Sequence, residues 1–229
     1  MSPELRARLT DWAEKYNDPV YFKEDPIAFP REFVRRGAEL RDIEIAAVFS
    51  AHFAWGRRAM IVRDCERFFD YIGWRPLDYV MSGCWRDDPT SIHRTVKWSD
   101  TAAICARLKE FYSGHGSLEE LGCKQIREMI FAQKPDPRAP DKKINMMRRW
   151  MVRRDGKVDL GLWTHTSPAQ LLIPLDVHVY GQAVELGLTS RRQKDIATAE
   201  QITDAFREIF PGDPAKGDFA LFGYGIDNA

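Results

Sequence analysis

Residues 42–55 read DIEIAAVFSAHFAW, and this stretch decides the fold class. Its apolar residues cover a helical projection nearly all round instead of alternating, the pattern of a helix buried on most sides. Gly56 follows as a stop signal. A helix buried in this way needs neighbours, and helical periodicity continues along the chain. Ile61, Cys65, Phe68 and Ile72 fall at i, i+4, i+7 and i+11, with Gly73 behind them. Thr101–Tyr112 predicts a third helix with Ile104, Leu108 and Phe111 inward, and Ser117 with Glu120 predicts a capping box opening a fourth.

Residues 134–141, KPDPRAPD, contain three prolines and read as a rigid loop. A helix reading KKINMMRRWMVRR starts near Asp141, and Ser167-Pro168 opens a short one. Asp176 is placed to cap a helix running to Leu186 with Gly187 beyond it, and Ile202, Phe206 and Ile209 line another that Pro211 stops. Strand-like alternation is scarce, and no Asn-Gly or Asp-Gly turn joins two such runs. The expected fold is all-α, a compact array of roughly eight to ten helices. The 229 residues fit a single globular domain, residues 1–229, or two helical lobes with a cleft between them.

Lys plus Arg and Asp plus Glu both number 34, so no overall basic field advertises nucleic acid or a membrane. The average conceals a local asymmetry. Lys134–Arg154 carries a balance of +6, and the stretch from Asp195 onward a balance of −5. The basic stretch fits a phosphate-binding surface or an ordinary solvated helix face. Cys65, Cys84, Cys105 and Cys123 lie about twenty apart with no CxxC pair, unsuited to zinc or iron–sulfur binding. With no apolar signal core after Met1, the expectation is a cytoplasmic protein with reduced thiols, no membrane partner and no cofactor.

Familiar catalytic patterns are missing: there is no GxxxxGK[ST], GxSxG or HExxH, and the five histidines are dispersed. What remains is a pair. Lys142 and Lys143 open a basic helix after the proline-rich loop, and Asp176 opens another helix 34 residues after Lys142. The positive end of a helix dipole and a neighbouring cation both favour the neutral, nucleophilic form of an amine. A carboxylate that caps a helix is held ionised by backbone amides, which suits stabilising a developing cation. Together they fit cleavage of an N-glycosidic bond, with the carboxylate facing an oxocarbenium-like sugar and the amine capturing the anomeric carbon. The same residues also fit a simple N-cap and two solvated lysines.

The segments DIEIAAVFSAHFAWGRR, INMMRRWMVRRDGKVDLGLW, IPLDVHV and DFALFGYG together resemble a bacterial family of unknown function over nearly the whole chain. That family is in turn similar to the helix-hairpin-helix DNA glycosylase superfamily, which includes endonuclease III and the archaeal 8-oxoguanine glycosylases. IPLDVHV resembles the superfamily motif that carries the catalytic aspartate, matching at Asp176 and His178. Lys142 and Asn145 match the lysine and asparagine of a K-T-A-N-like pattern that opens a helix in its bifunctional members, which selects Lys142 over Lys143. Phe49-Ser50 matches the start of the superfamily's L-S-Q-Q-T segment, and Ala51, His52 and Phe53 replace the rest. KPDPRAPD stands where a glycine hairpin normally approaches a DNA phosphate, and no cysteine follows Cys123 to hold a C-terminal iron–sulfur cluster.

The resemblance implies a DNA glycosylase with abasic-site lyase activity, acting as a monomer on double-stranded DNA in base excision repair. The target would be a damaged base such as an oxidised purine. Lys142 and Asp176 would be catalytic, with Lys143 as the alternative nucleophile. His52, Phe53, Trp55, Arg57, Arg58, Asn145, Arg149, His178 and Phe222 would line the pocket or contact DNA, although aromatics at helical spacing, Trp150 and Trp163 included, are more often core. A non-catalytic nucleic-acid-binding module and a protein-interaction scaffold are the alternatives.

Overall fold

A computed structural model describes residues 1–228. The chain forms two compact units, one of residues 1–21 and 136–229, the other of residues 22–135. Among the described residues there are eleven α-helices and a single two-stranded hairpin, so the chain is mostly helical as read from the sequence. No helix is long and apolar enough to cross a membrane.

The contiguous unit holds α2 (Ala28–Arg35), α3 (Leu40–Phe53), α4 (Arg58–Tyr71), α5 (Pro76–Ser82), α6 (Trp98–Tyr112) and the three-residue α7 (Cys123–Gln125). Its centre is α3, whose Ile45, Ala46, Ala47, Val48 and Phe49 are fully buried, as an all-round apolar helix requires. The helix ends at Phe53, and Gly56 makes the following turn at φ +105°. Phe49, Phe53 and Phe68 pack ring to ring beneath it. Glu44 and Ser50 are the buried polar residues of α3. Tyr112 Oη donates to Glu44 at 2.8 Å, as do Ser117 Oγ and the amide of Leu118, so a buried carboxylate fastens α3 to the segment after α6.

Three expectations change here. The Ser117–Glu120 capping box forms, but it caps a single 3₁₀ turn, Leu118–Glu120, because Leu121 returns to extended backbone. Helices α2 and α5 form where the sequence reading placed none. Ser91–His93 pairs with Val96–Lys97 around a turn that places Arg94, not a glycine, at φ +53°.

The discontinuous unit holds α1 (Pro3–Tyr16), α8 (Lys142–Val152), α9 (Val177–Glu185), α10 (Ile196–Arg207) and α11 (Gly217–Asp227). Helices α1 and α11 pack closely. A Cβ at Gly223 would lie 2.1 Å from Tyr16 Cδ2, so only glycine permits the approach. Asp227 accepts from Trp12 Nε1 at 3.0 Å, from Lys15 Nζ at 3.2 Å and from Tyr16 Oη. On α8, Ile144, Met147, Trp150, Met151 and Val152 are buried, and Trp163 is buried too, so both tryptophans are core.

Candidate active site

The site is built at two helix starts in the discontinuous unit. In the proline-rich loop, Asp136 Oδ1 accepts from the amide of Arg138 at 2.9 Å, and Asp141 adopts left-handed backbone at φ +43° immediately before α8. Asn145, one turn into the helix and buried, donates from Nδ2 to the carbonyl of Pro140 at 2.8 Å. That bond clamps the loop to the helix it precedes, without glycine, and fixes the point at which Lys142 emerges.

The second start is Asp176. The preceding segment is anchored by the buried Ile173, whose amide donates to Thr203 Oγ1 at 3.0 Å. Asp176 Oδ1 accepts from the amides of His178 and Val179, both at 2.9 Å, the N-cap arrangement expected from IPLDVHV. Its other oxygen, Oδ2, lies 3.9 Å from Lys142 Nζ, with both side chains about one-third exposed. Two residues 34 apart in sequence thus meet as an amine and an anchored carboxylate.

Charge continues inward from this pair. Asp218 on α11 is held by Arg149, and Arg149 also reaches Asp159, which binds Arg153. Burial pushes the Asp218 carboxyl above its ordinary value. Arg149 opposes that rise, and the negative charge of Asp176 adds to it. Burial likewise raises Asp159 against the pull of Arg149 and Arg153. Lys143 differs from its neighbour: burial and the adjacent Lys142 charge bring its amine down to about 8 from 10.5.

The remaining candidates divide. Asn145 positions the loop, and His178 is exposed beside the pair, contributing its amide to Asp176. Arg149 is corrected from DNA contact to structural ion pair. It is 5% exposed, bound to Asp159 and Asp218 and stacked 4.7 Å from the Phe219 ring, so its guanidinium already has carboxylate partners. Phe222 packs edge-on against Tyr16 and Tyr21.

His52, Phe53, Trp55, Arg57 and Arg58 belong to the other unit. Phe53 is corrected to a core residue, since it has no exposure and contacts Phe49, Phe68 and His93. His52 stacks on Phe131, and the Trp55 ring carries Arg94 at 4.2 Å. Arg57 and Arg58 are exposed at the start of α4. Glu44 and Asp64 have other partners, Glu44 as above and Asp64 with His93 and Arg63.

Residues missed by sequence reading also flank the pair. Asp218 lies within DFALFGYG, a segment that carries no titratable pattern by itself. Val177, directly after Asp176, is 61% exposed.

The sequence model of one family matches residues 25–135 and 123–227, described as a protein of unknown function, DUF2400. The chain belongs to the DUF2400 family. The first matched segment ends where the contiguous unit ends, and the second spans α8–α11 and with them the lysine–aspartate pair. No curated protein and no solved structure matches the chain at a significant level.

Proposed function

We propose that this DUF2400 protein is a DNA glycosylase with abasic-site lyase activity, removing a damaged base, such as an oxidised purine, from double-stranded DNA in base excision repair. The observation that carries the reading is the 3.9 Å approach of Lys142 Nζ to an Asp176 carboxylate whose other oxygen is tied to the α9 amides. Asp176 keeps its direction while positive charge develops on the sugar. The lysine nitrogen, once neutral, bonds to C1′ as the bond to the base breaks and the base departs with a proton. Ring opening then leaves a protonated imine. Loss of a C2′ proton with cleavage of the C3′–O bond nicks the strand, and water releases the lysine.

A second assignment of the nucleophile has an observation of its own. Lys143, with its amine brought down to about 8, is more readily neutral at physiological pH than an ordinary lysine. The test treats duplex DNA carrying one abasic site with the protein and borohydride. Wild type gives a covalent adduct, Lys142→Ala abolishes it, and Lys143→Ala retains it. The reverse pattern transfers the role to Lys143. Equal adduct in wild type and both lysine variants, or none in wild type, removes the lyase chemistry and leaves a monofunctional glycosylase that needs only Asp176, or a non-catalytic DNA-binding module.

A further inference from the structure

We infer that the proline-rich loop 136–141 and the loop 188–195 together form a phosphate-binding surface that holds the DNA backbone beside Lys142 and Asp176. This choice of partner rests on the glycosylase reading above, whereas the surface itself stands on its own geometry. The first loop is bonded to the residue directly after the second, the amide of Ile196 at the start of α10 donating to the carbonyl of Arg138 at 3.0 Å. Loop 188–195 is also fixed to α9. Tyr180 Oη donates to the carbonyl of Arg191 at 2.9 Å, and Lys194 Nζ lies 5.2 Å from the centre of the same ring. Tyr180 is four residues after Asp176 and therefore on the same face of α9, with its amide bonded to the Asp176 carbonyl at 2.9 Å. Loop 136–141 thus leads directly into Lys142, and loop 188–195 is tied to it and to the helix that Asp176 opens.

Of the four carboxylates on this surface, Asp136, Asp141, Asp176 and Asp195, three have the following partners. Asp195 caps α10 and is paired with Arg191, Asp176 faces Lys142, and Asp136 accepts the Arg138 amide. The guanidiniums of Arg138 and Arg192 are exposed, and neither has an intramolecular ion pair among the described residues. Deeper in the basic stretch the charges point elsewhere. Arg149 and Arg153 are buried in ion pairs, and Arg154 donates to the carbonyls of Trp163 and Thr166. The phosphate-binding charge is therefore drawn from two loops, one of which lies outside the stretch that looks basic in sequence. A pair of rigid, tethered arginine-bearing loops supplies what a glycine hairpin would otherwise offer through backbone amides.

The test measures binding of a short duplex, with and without an abasic site, across a salt series. The proteins are wild type, the triple variant Arg138→Gln/Arg192→Gln/Lys194→Gln, and a charge-matched control, Lys23→Gln/Lys97→Gln/Lys124→Gln, in the other unit. All six positions are exposed, and a thermal melt confirms that each protein is folded. Expected is a loss of about tenfold or more in affinity for the loop variant near 0.1 M salt. Its log–log salt slope should fall by about 1 per contact removed, with much smaller changes in the control. Loop and control variants binding alike would overturn the inference, even if borohydride trapping succeeds. Wild type that binds with the expected slope but does not trap would leave this surface standing and remove the lyase. Absence of wild-type DNA binding at low salt, or equal affinity for single-stranded RNA or phosphatidylserine vesicles, would also overturn it.

Discussion

At Asp176 the two carboxylate oxygens have different partners, Oδ1 capping α9 and Oδ2 facing Lys142. Substitution can therefore separate the two contacts. Asparagine is a good N-cap, so Asp176→Asn should leave stability within about 1 kcal/mol of wild type, whereas Asp176→Ala should lose about that amount. Both should lower base excision about a hundredfold or more if the carboxylate stabilises a cationic sugar. Urea melts and single-turnover excision assays check the two halves separately, and full activity in Asp176→Asn would reduce the residue to a cap. Lys143 makes a pH prediction with a defined sign. Its amine titrates at about 8 in the folded chain and at the ordinary 10.5 when unfolded. Between those values the unfolded state binds more protons, so stability from this residue rises with pH across that window. Lys143→Met should be relatively more stable at pH 7 and should remove that rise, which denaturant melts from pH 7 to 10 would show. These properties are illegible in sequence. KK at a helix start shows two amines, and only packing decides which one is desolvated and which meets a carboxylate.

At the scale of elements, legibility followed the locality of the signal. Helices α3, α4, α6, α8, α9 and α10 were readable because periodicity and flanking caps act within a turn or two. The 3₁₀ turn after Ser117 shows the limit of that reading. A correct capping box satisfies the first amides, but the helix continues only if the next residues have a surface to bury. The hairpin at Ser91–Lys97 was not readable, since its turn uses Arg94 where the recognised turn signals use Asn or Gly. Two substitutions probe element packing. Gly223→Ala on α11 would set a methyl group against the Tyr16 ring and should cost about 1–3 kcal/mol, or more if α1 cannot shift. Asn145→Ala removes the donor that holds the Pro140 carbonyl and should cost about 1 kcal/mol. If the loop positions Lys142, Asn145→Ala should also slow trapping at saturating DNA, with Asn145→Asp failing to restore it because a carboxylate cannot donate. Unchanged trapping in Asn145→Ala would make the clamp purely structural.

At the scale of the whole molecule, residues 22–135 form a contiguous unit with its own core around α3. A fragment of those residues should be soluble and melt cooperatively, and a non-cooperative melt with strong dye binding would contradict that. The other unit brings the chain's beginning to its C-terminal half through α1 and α11, a pairing that no short-range pattern encodes. By itself the sequence determined the helical class, the places of six of the helices, the family, and the two residue types that open α8 and α9. These are consequences of apolar period, capping and punctuation, all local. Only the tertiary structure decided that Lys142 and Asp176 meet, that Arg149 and Phe53 are interior, and that the start of α10 bonds to the Arg138 carbonyl. Each depends on contacts between segments tens of residues apart, where burial and charge pairing, not local propensity, set the outcome.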